Sequence, residues 1–327
     1  MEQVHLILVG DTGSGSPEQD RVAKSMEKLV ERYPVKAILL MGDNIYEEGV
    51  TSIDDEQFET KFKIPYQHIH LPFYLCLGNH DYGNGATLER DETHKRVQSQ
   101  IDYTTSAYNT SLRPDLKKWN MPSKWYTQSF PLCDVFFIDT NMDPPGGGLL
   151  SESSIQEQLK DTIHAIKQSG KQWKIVCGHH TWRSVGGHSN AEERFEQFMK
   201  DLLAEVKIDL YVCGHDHCKS IIEVGRHKTR ALVIGTGGKQ YDEDLYYPDN
   251  MKADGSKLKF FSPNLGVCHF KATKDTLTLT CYTETLRKEK TYTISKRSKK
   301  TNSRRTRQRT RRRRKSKRSK RRRRRRN

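Results

Sequence analysis

Five short apolar segments of this sequence each lead directly into a polar residue of a kind that binds metal ions. The segments with their following residues are LVGDTG, LMGDNIY, CLGNHD, VCGHH and VCGHDH. Side chains that follow strands in an α/β fold meet at the carboxyl edge of the sheet, and a preceding glycine lets the backbone turn tightly there. A shared site that gathers these loops therefore constrains the fold more than any other feature of the chain.

These segments supply oxygen and imidazole ligands but no thiolate. The candidate ligands are Asp11, Asp43, Tyr46, Asn79, His179, His215 and His217. Such a set suits borderline or hard divalent and trivalent ions. Two ions about 3.5–4 Å apart can clamp a phosphoryl group during an in-line displacement, and Asp43, central in the series, is the natural bridging carboxylate. The sequence therefore predicts a dinuclear metal site for phosphate chemistry.

Strands and helices alternate over most of the chain, which predicts an α/β fold with mixed sheets. Helices are predicted at 17–33, 153–169 and 191–206. Strands are predicted at 4–9, 37–41, 73–77, 135–138, 174–177, 210–213, 221–224 and 231–234, with an antiparallel pair at 267–272 and 277–282. The polar stretch 82–124 has weak periodicity, so we expect a long insertion that covers one side of the site.

Charge divides the 327 residues into two parts. The formal net charge is +16, but 22 of the 57 Lys and Arg lie between residues 296 and 326. The 35 that remain face 41 acidic residues, a net charge of −6, which is ordinary for a globular domain. We therefore predict a catalytic domain over 1–294. Residues 295–327 have almost nothing apolar to bury, so we predict a disordered polybasic tail.

The expected partner of this tail is nucleic acid or another polyanion, because so dense a positive charge becomes favourable on one. Counterion release makes such binding tight, salt-dependent and independent of base sequence. The tail contains no aromatic residue, which argues against base stacking. A nuclear or nucleolar address alone, or no specific role, are the alternatives.

The cysteines and the apolar stretches also indicate in which cellular compartment the protein is expected. The seven cysteines form no CxxC pair and lie mostly in apolar runs, so we expect buried free thiols. No apolar stretch approaches the roughly 20 residues that a membrane span requires, and 4–9 is too short for the core of a secretion signal. We therefore expect an intracellular protein, nuclear or associated with nucleic acid, unless a leader has been removed.

The five motifs, in this order, resemble the signature of the calcineurin-like metallophosphoesterases. Two details are similar to the purple acid phosphatase branch: the first motif is GDTG, and Tyr46 follows Asp43 by three residues. The stretch WNMPSKWY, residues 119–126, is similar to a segment of the small tartrate-resistant acid phosphatases. The resemblance covers about 4–294 and implies a layered αββα fold, with two mixed β-sheets flanked by helices.

The resemblance also implies roles for particular residues. A ferric ion would be held by Asp11, Tyr46 and His217, a divalent iron, zinc or manganese ion by Asn79, His179 and His215, and both by Asp43. A metal-bound hydroxide would attack the phosphate. His80 and His188 would face the substrate, where His188 can protonate the leaving group; an exposed loop histidine is the alternative for His188. His180 stands where relatives often have tyrosine, so we expect the rim of the site to differ.

An acid phosphatase that acts on phosphate monoesters, small or protein-borne, is thus the predicted function. The first alternative is a phosphodiesterase or phosphoprotein phosphatase of the wider superfamily, against which Tyr46 and the missing histidine in GDTG argue. The second is a nucleic-acid-binding protein with a vestigial phosphatase scaffold. Loss of ligand residues would favour that alternative, and all the expected ligands are present.

Overall fold

The computed structural model describes residues 2–83, 90–109, 116–143, 149–225, 229–240, 246–251 and 254–296. Residues 297–327, nearly all of the predicted tail, lie outside this part of the chain. The disorder expected of the tail and the domain boundary at 294 therefore stay predictions.

Fourteen strands and four α-helices form within the described residues. Along the chain they are β1 (Val4–Val9), α1 (Pro17–Arg32), β2 (Val35–Met41), β3 (Phe73–Cys76), α2 (Arg90–Tyr103), β4 (Trp119–Asn120), β5 (Tyr126–Ser129), β6 (Cys133–Phe137), α3 (Glu152–Gln168), β7 (Trp173–Cys177), α4 (Glu193–Glu205), β8 (Leu210–Cys213), β9 (Lys219–Val224), β10 (Thr229–Ile234), β11 (Lys257–Ser262), β12 (Gly266–Ala272), β13 (Thr276–Thr283) and β14 (Lys288–Ser295). Short turns of π- or 3₁₀-helix lie at Glu59–Lys63, His80–Tyr82 and Pro248–Met251.

The strands form two mixed sheets of seven. The first has the order β14-β13-β12-β1-β2-β3-β4, and the second has the order β11-β9-β10-β8-β7-β6-β5. β1, β2 and β3 are parallel, whereas β12 runs antiparallel to β1 and to β13. In the second sheet β6, β7, β8 and β10 are parallel, with antiparallel strands at both edges. The predicted antiparallel pair near the C-terminal end is confirmed.

An amphipathic helix covers the first sheet. Pro17 begins α1, where its missing N–H costs nothing, and acidic side chains occupy the first turn. Val22, Met26 and Leu29 recur at helical spacing and are fully buried in one apolar cluster with Ile7 and Val9 of β1. Burial of each such side chain contributes roughly 1.5–3 kcal/mol. The match between the helix period and the strand period fixes which face of the sheet α1 covers.

Helices α3 and α4 cover the second sheet in the same way. Ile155 of α3 and Phe198 and Leu202 of α4 are buried in a second apolar cluster with Val176 of β7 and Val233 of β10. The predicted fold of two mixed sheets flanked by helices is therefore confirmed. The expected free thiols are confirmed too, because all seven cysteines are buried and unpaired. None of the helices in the described residues is long and apolar enough to cross a membrane.

One expectation needs correction. The five motif-bearing strands belong to both sheets, β1, β2 and β3 to the first and β7 and β8 to the second, so their loops do not share one sheet edge. The stretch 82–124, predicted as a long insertion with weak periodicity, contains helix α2, which packs on the turn His80–Tyr82. The polar loops nevertheless meet, because the sheets touch where these strands end: the N–H of Gly10 donates to the carbonyl of Ile234 at 2.8 Å.

Candidate metal centre

Three of the predicted ligands leave their strands in a left-handed backbone conformation. Asp11 (φ 58°), Asp43 (φ 49°) and His215 (φ 68°) each follow a glycine at the end of β1, β2 or β8. For a residue with a side chain this conformation costs about 1–2 kcal/mol. Such strain persists where the surroundings impose it, and it clusters at functional sites. The same turn recurs at three strand ends and carries a candidate ligand each time.

Two glycines let the carboxylates approach neighbouring loops. A Cβ added at Gly78 would lie 2.1 Å from Oδ1 of Asp43, and one at Gly214 would lie 2.2 Å from Oδ2 of Asp11. Atoms cannot come this close without displacement, so only glycine fits at either position. The motif glycines are therefore needed for contact between loops as well as for tight turns.

One group of three donor atoms lies at the end of β1. Tyr46 donates its hydroxyl to Oδ1 of Asp11 at 3.1 Å, and Nε2 of His217 lies 3.4 Å from the same hydroxyl. Nε2 of His217 is also 3.5 Å from Oδ1 of Asp11. The three atoms form a nearly equilateral triangle of carboxylate, phenol and imidazole.

A second group centres on Nε2 of His179. This atom lies 3.0 Å from Oδ1 of Asn79, 3.2 Å from Nδ1 of His215 and 3.4 Å from Oδ1 of Asp43. The other nitrogen of His179 is 2.8 Å from the carbonyl of Met41, to which it donates. That hydrogen bond fixes the tautomer and leaves the lone pair on Nε2 free for a ligand.

Both groups have spacings that a metal ion would satisfy. Ligands bound at about 2.0–2.2 Å from one ion lie roughly 3.0–3.5 Å apart in octahedral or tetrahedral geometry. The imidazole and carboxylate atoms of Asp11, Asp43 and His179 all lie within 4.8 Å of one another, so the two groups adjoin. Burial, together with the charges of Asp11 and Asp43, raises the pKa of the Tyr46 phenol well above its ordinary value. Phenolate therefore needs a cation beside it, and the donor set fits a pair of ions.

The structure brings all seven predicted ligands into this one cluster. They are Asp11, Asp43, Tyr46, Asn79, His179, His215 and His217. The first sheet provides four of them and the second sheet provides three. The cluster thus lies where the two sheets meet, and neither sheet could form it alone.

His80, predicted to face the substrate, lies beside the cluster. Its backbone N–H donates to Oδ1 of Asp43 at 3.0 Å, and its ring packs edge-on against Tyr46 with centroids 4.3 Å apart. Nδ1 is 2.6 Å from the carbonyl of Glu47, to which it donates, and Nε2 is 4.0 Å from Oδ2 of Asp43. Its side chain is only 15% exposed, which leaves the ring at the inner margin of the site.

His188 is exposed on a loop, yet it lies against a predicted ligand. Its ring stacks on His215 with centroids 4.0 Å apart, and its backbone N–H donates to Oδ1 of Asp216 at 2.7 Å. The largely buried Arg183 anchors the loop through ion pairs with Glu196 and Asp254, each at 2.6 Å. The structure therefore places His188 beside the cluster on a firmly held loop.

Thr140, which sequence reasoning missed, holds the backbone that carries His179 and His180 and orients the ring of His180. Its hydroxyl oxygen accepts hydrogen bonds from the backbone N–H groups of His179 (3.2 Å) and His180 (2.9 Å). With both acceptor positions used, the hydroxyl hydrogen goes to Nδ1 of His180, 2.8 Å away. His180 then carries its own hydrogen on Nε2. Asp139 and Thr140 follow the apolar run VFFI, so they form a sixth polar segment at a strand end, and Thr140 could have been found by that pattern.

Asp81, the last residue of GNHD, is a second residue that sequence reasoning left without a role. It is fully buried and accepts hydrogen bonds from the N–H of Gly78 at 2.8 Å and from the side-chain amide of Asn44 at 3.0 Å. Burial and the charge of Asp43 raise the pKa of Asp81 to about 7. This carboxyl group ties the loop after β2 to the loop after β3, and it therefore holds Asp43 and Asn79 in place.

Two sheets that meet at such a cluster define a metallophosphoesterase. Residues 4–219 match the calcineurin-like phosphoesterases, and the chain belongs to that family. Its relatives include purple acid phosphatases of Arabidopsis thaliana. Purple acid phosphatase 7 is 31% identical over 252 residues, covering 72% of this chain and 70% of that protein. Purple acid phosphatase 4 is 29% identical over 285 residues, covering 85% of this chain and 80% of that protein. The predicted resemblance to purple acid phosphatases is confirmed.

The human tartrate-resistant acid phosphatase type 5 is 27% identical over 214 residues, which cover 60% of this chain and 59% of that protein. Among solved structures, GAP50, the anchor in the inner membrane complex of Plasmodium, shares the fold with a TM-score of 0.73 at 18% identity, covering 91% of this chain and 90% of that one. Enzymes of this family hydrolyse phosphate esters at a dinuclear metal centre. The prediction of a metal-dependent phosphatase is therefore confirmed.

Proposed function

We propose that this protein is an acid phosphatase that hydrolyses phosphate monoesters at a dinuclear centre. The observation that carries the proposal is the pair of adjoining donor groups around Tyr46 and His179, with the Asp43 carboxylate beside both. Asp11, Tyr46 and His217 would hold Fe(III). Asn79, His179 and His215 would hold Fe(II), Zn(II) or Mn(II), and Asp43 would bridge. The phenol supports iron in the first group because a strongly charged ion favours phenolate.

When bound, such a pair of ions supplies Lewis-acid charge and a nucleophilic water at neutral or acidic pH. The chain's own residues do the rest. His80 lies at the inner margin of the cluster with Nδ1 bonded to the Glu47 carbonyl, so its Nε2 can donate a hydrogen bond to a phosphoryl oxygen when the ring carries a proton on both nitrogens. His188 lies at the outer margin beside His215, where its imidazole can pass a proton to the leaving alkoxide. Asp216 and the Arg183 ion pairs hold His188 in that position.

The test uses the full chain purified with iron and zinc supplied. Hydrolysis of 4-nitrophenyl phosphate and of bis(4-nitrophenyl) phosphate is measured against pH, with metal content determined by emission spectroscopy. We expect about two metal ions per chain, an optimum on the acid side and preference for the monoester. Preference for the diester at every pH would favour the phosphodiesterase alternative and overturn the proposal.

The matched variant is Asp43→Asn, which keeps the shape of the side chain and removes its charge. We expect at least a thousandfold loss of turnover and a lower metal content, because the bridging carboxylate contacts both donor groups. Tyr74→Phe, a conservative change at a half-buried position of β3, is the control and should leave both unchanged. Wild-type turnover in Asp43→Asn would contradict the bridging role.

A second activity is favoured by the charge of the C-terminal segment. We propose that the tail, which is outside the described residues, binds nucleic acid or another polyanion and so concentrates the phosphatase there, inside the cell and in the nucleus. Residues 296–326 contain 22 Lys and Arg and no acid, and this supports electrostatic binding without base recognition.

Salt dependence tests this activity. The affinity of the full chain for duplex DNA is measured against salt concentration, in the wild type and in a variant with arginines 321–326 changed to glutamine. If all six arginines contact phosphates, the slope of log affinity against log salt should become less steep by about 5. An unchanged slope would show that these arginines do not contact the DNA backbone.

A further inference from the structure

A lysine that no motif includes lies beside the predicted ligand Tyr46. Lys239 follows β10 in the sequence GTGGK. The N–H of Gly237 donates to the carbonyl of Gly10 at 2.9 Å, and a Cβ added at Gly237 would lie 2.4 Å from Cγ2 of Thr12. One added at Gly238 would lie 2.7 Å from the hydroxyl of Ser14. The backbone before Lys239 is therefore held tightly against the loop that carries Asp11.

The ammonium group of Lys239 makes two contacts. Nζ lies 4.5 Å from the centroid of the Tyr46 ring and 2.5 Å from Oε1 of Glu47. The lysine side chain is 31% exposed and that of Glu47 is 64% exposed. An ion pair open to water in this way contributes little to stability. The lysine can therefore exchange Glu47 for another anion at little cost.

Glu47 joins this lysine to a predicted substrate-facing histidine. Its carbonyl accepts from Nδ1 of His80, and its Oε2 lies 3.7 Å from the same nitrogen. One carboxylate thus lies between His80, on the inner side, and Lys239, further out across the ring of Tyr46. A phosphate bound at the metal cluster beside His80 would have Lys239 as its next cation in the direction of Glu47.

We propose that Lys239 receives a second phosphate adjacent to the scissile one and is therefore the residue that sets how strongly the site selects ligands with two adjacent phosphates over ligands with one. This inference rests on the proposed function, because the metal cluster must take the terminal phosphate. Lys239 would leave Glu47 for the inner phosphate, which carries a localised charge suited to an ammonium group. Glu47 opposes binding of the second phosphate, since it is an anion at the same place.

The test compares two inhibitors of 4-nitrophenyl phosphate hydrolysis that differ by one phosphonate, methylenediphosphonate and methylphosphonate. In Lys239→Met we expect the inhibition constant of the diphosphonate to rise about tenfold, as for loss of one charge-assisted hydrogen bond. The constant for the monophosphonate should change less than twofold. In Glu47→Gln we expect the diphosphonate to bind more tightly, and both effects should shrink at high salt.

The matched control is Lys259→Met. Lys259 is 32% exposed and pairs with Glu223 at 3.1 Å on the edge strand β11, so the same charge is lost away from Tyr46. This control should leave both inhibition constants unchanged. The inference would be overturned if Lys239→Met left the ratio of the two inhibition constants unchanged. It would also be overturned if the diphosphonate bound more weakly to Glu47→Gln. Either result would mean that the ion pair only joins two loops.

Failure of the proposed function can be told apart from failure of this inference. If the wild type does not hydrolyse the aryl phosphate, the proposed function fails. Calorimetric titration of the metal-loaded protein with the two phosphonates then gives the same ratio of affinities without turnover. Selective loss of diphosphonate affinity in Lys239→Met would still support a diphosphate-binding site.

Discussion

Replacing His269 with glutamine should make the protein less sensitive to acid. His269 of β12 and His5 of β1 are both buried, and Nε2 of the first lies 3.0 Å from Nδ1 of the second. One ring donates to the other, and Tyr33 stacks on His269 with centroids 4.1 Å apart. The pair faces Lys271 and Lys36, so an added proton would meet positive charge from neighbouring strands. Burial, followed by the charges of His5 and Lys271, lowers the pKa of His269 to about 4.

The size and sign of the effect follow from this pKa. The unfolded chain takes up a proton at this histidine near pH 6.5, whereas the folded chain does so only near pH 4. The free energy of unfolding therefore falls as the pH drops through that window. Above the window His269 is neutral in both states, and none of this stability has been lost. A shift of this size corresponds to about 3 kcal/mol in full, of which about 2 kcal/mol is lost by pH 5.

The assay is urea unfolding of the wild type and His269→Gln at pH 7.5 and pH 5. Glutamine can still bond to His5 but takes up no proton, so the variant should lose about 2 kcal/mol less than the wild type between the two values. His70→Gln, a change at an exposed histidine, is the control and should behave as the wild type does. Equal losses in His269→Gln and the wild type would refute the argument that His269 stays neutral in the folded protein.

Three further changes test how the cluster and its loops are held. Thr140→Val should weaken metal binding about tenfold or more, since ligand-orienting hydrogen bonds are lost; competition with a chelator measures this. Arg183→Met should lower the free energy of unfolding, measured with urea, by about 2 kcal/mol, because two partly buried carboxylates lose their cation. Its control is Lys200→Met, which removes a 57% exposed lysine from the same network and should cost less than about 0.5 kcal/mol. Gly214→Ala should lose most of its bound metal, whereas Gly170→Ala, whose added Cβ would meet nothing within 4 Å, should keep it in the same metal analysis.

Sequence patterns predicted which side chains lie together because each motif is local. An apolar run that ends in glycine and a polar residue marks both the end of a strand and the direction of the side chain. This pattern located Asp11, Asp43 and His215, whose left-handed backbone is itself a consequence of the turn. The roles of Thr140 and Asp81 were missed because their effects pass through hydrogen bonds to other residues.

Sequence patterns failed where an element contains few apolar residues, or where strands that pair are far apart in the sequence. Helix α2 went unrecognised because it is largely polar and buries few apolar residues, Val97 and Tyr103 among them. Strands β11 and β14 lie at sheet edges and each has only one buried residue, so they carry little hydrophobic alternation. The division of the strands between two sheets depends on pairings such as β1 with β12, which no local pattern records.

The pairing of β1 with β12 also bears on how the protein is synthesised. Val4 lies opposite Ala272, so β1 leaves the ribosome long before the strand with which it pairs. At about 5–20 residues per second that interval is roughly 13–50 s. Until then one side of β1 has no neighbour, and an unpaired apolar edge invites aggregation. A nascent chain of this protein should therefore depend on chaperones until its final strands emerge.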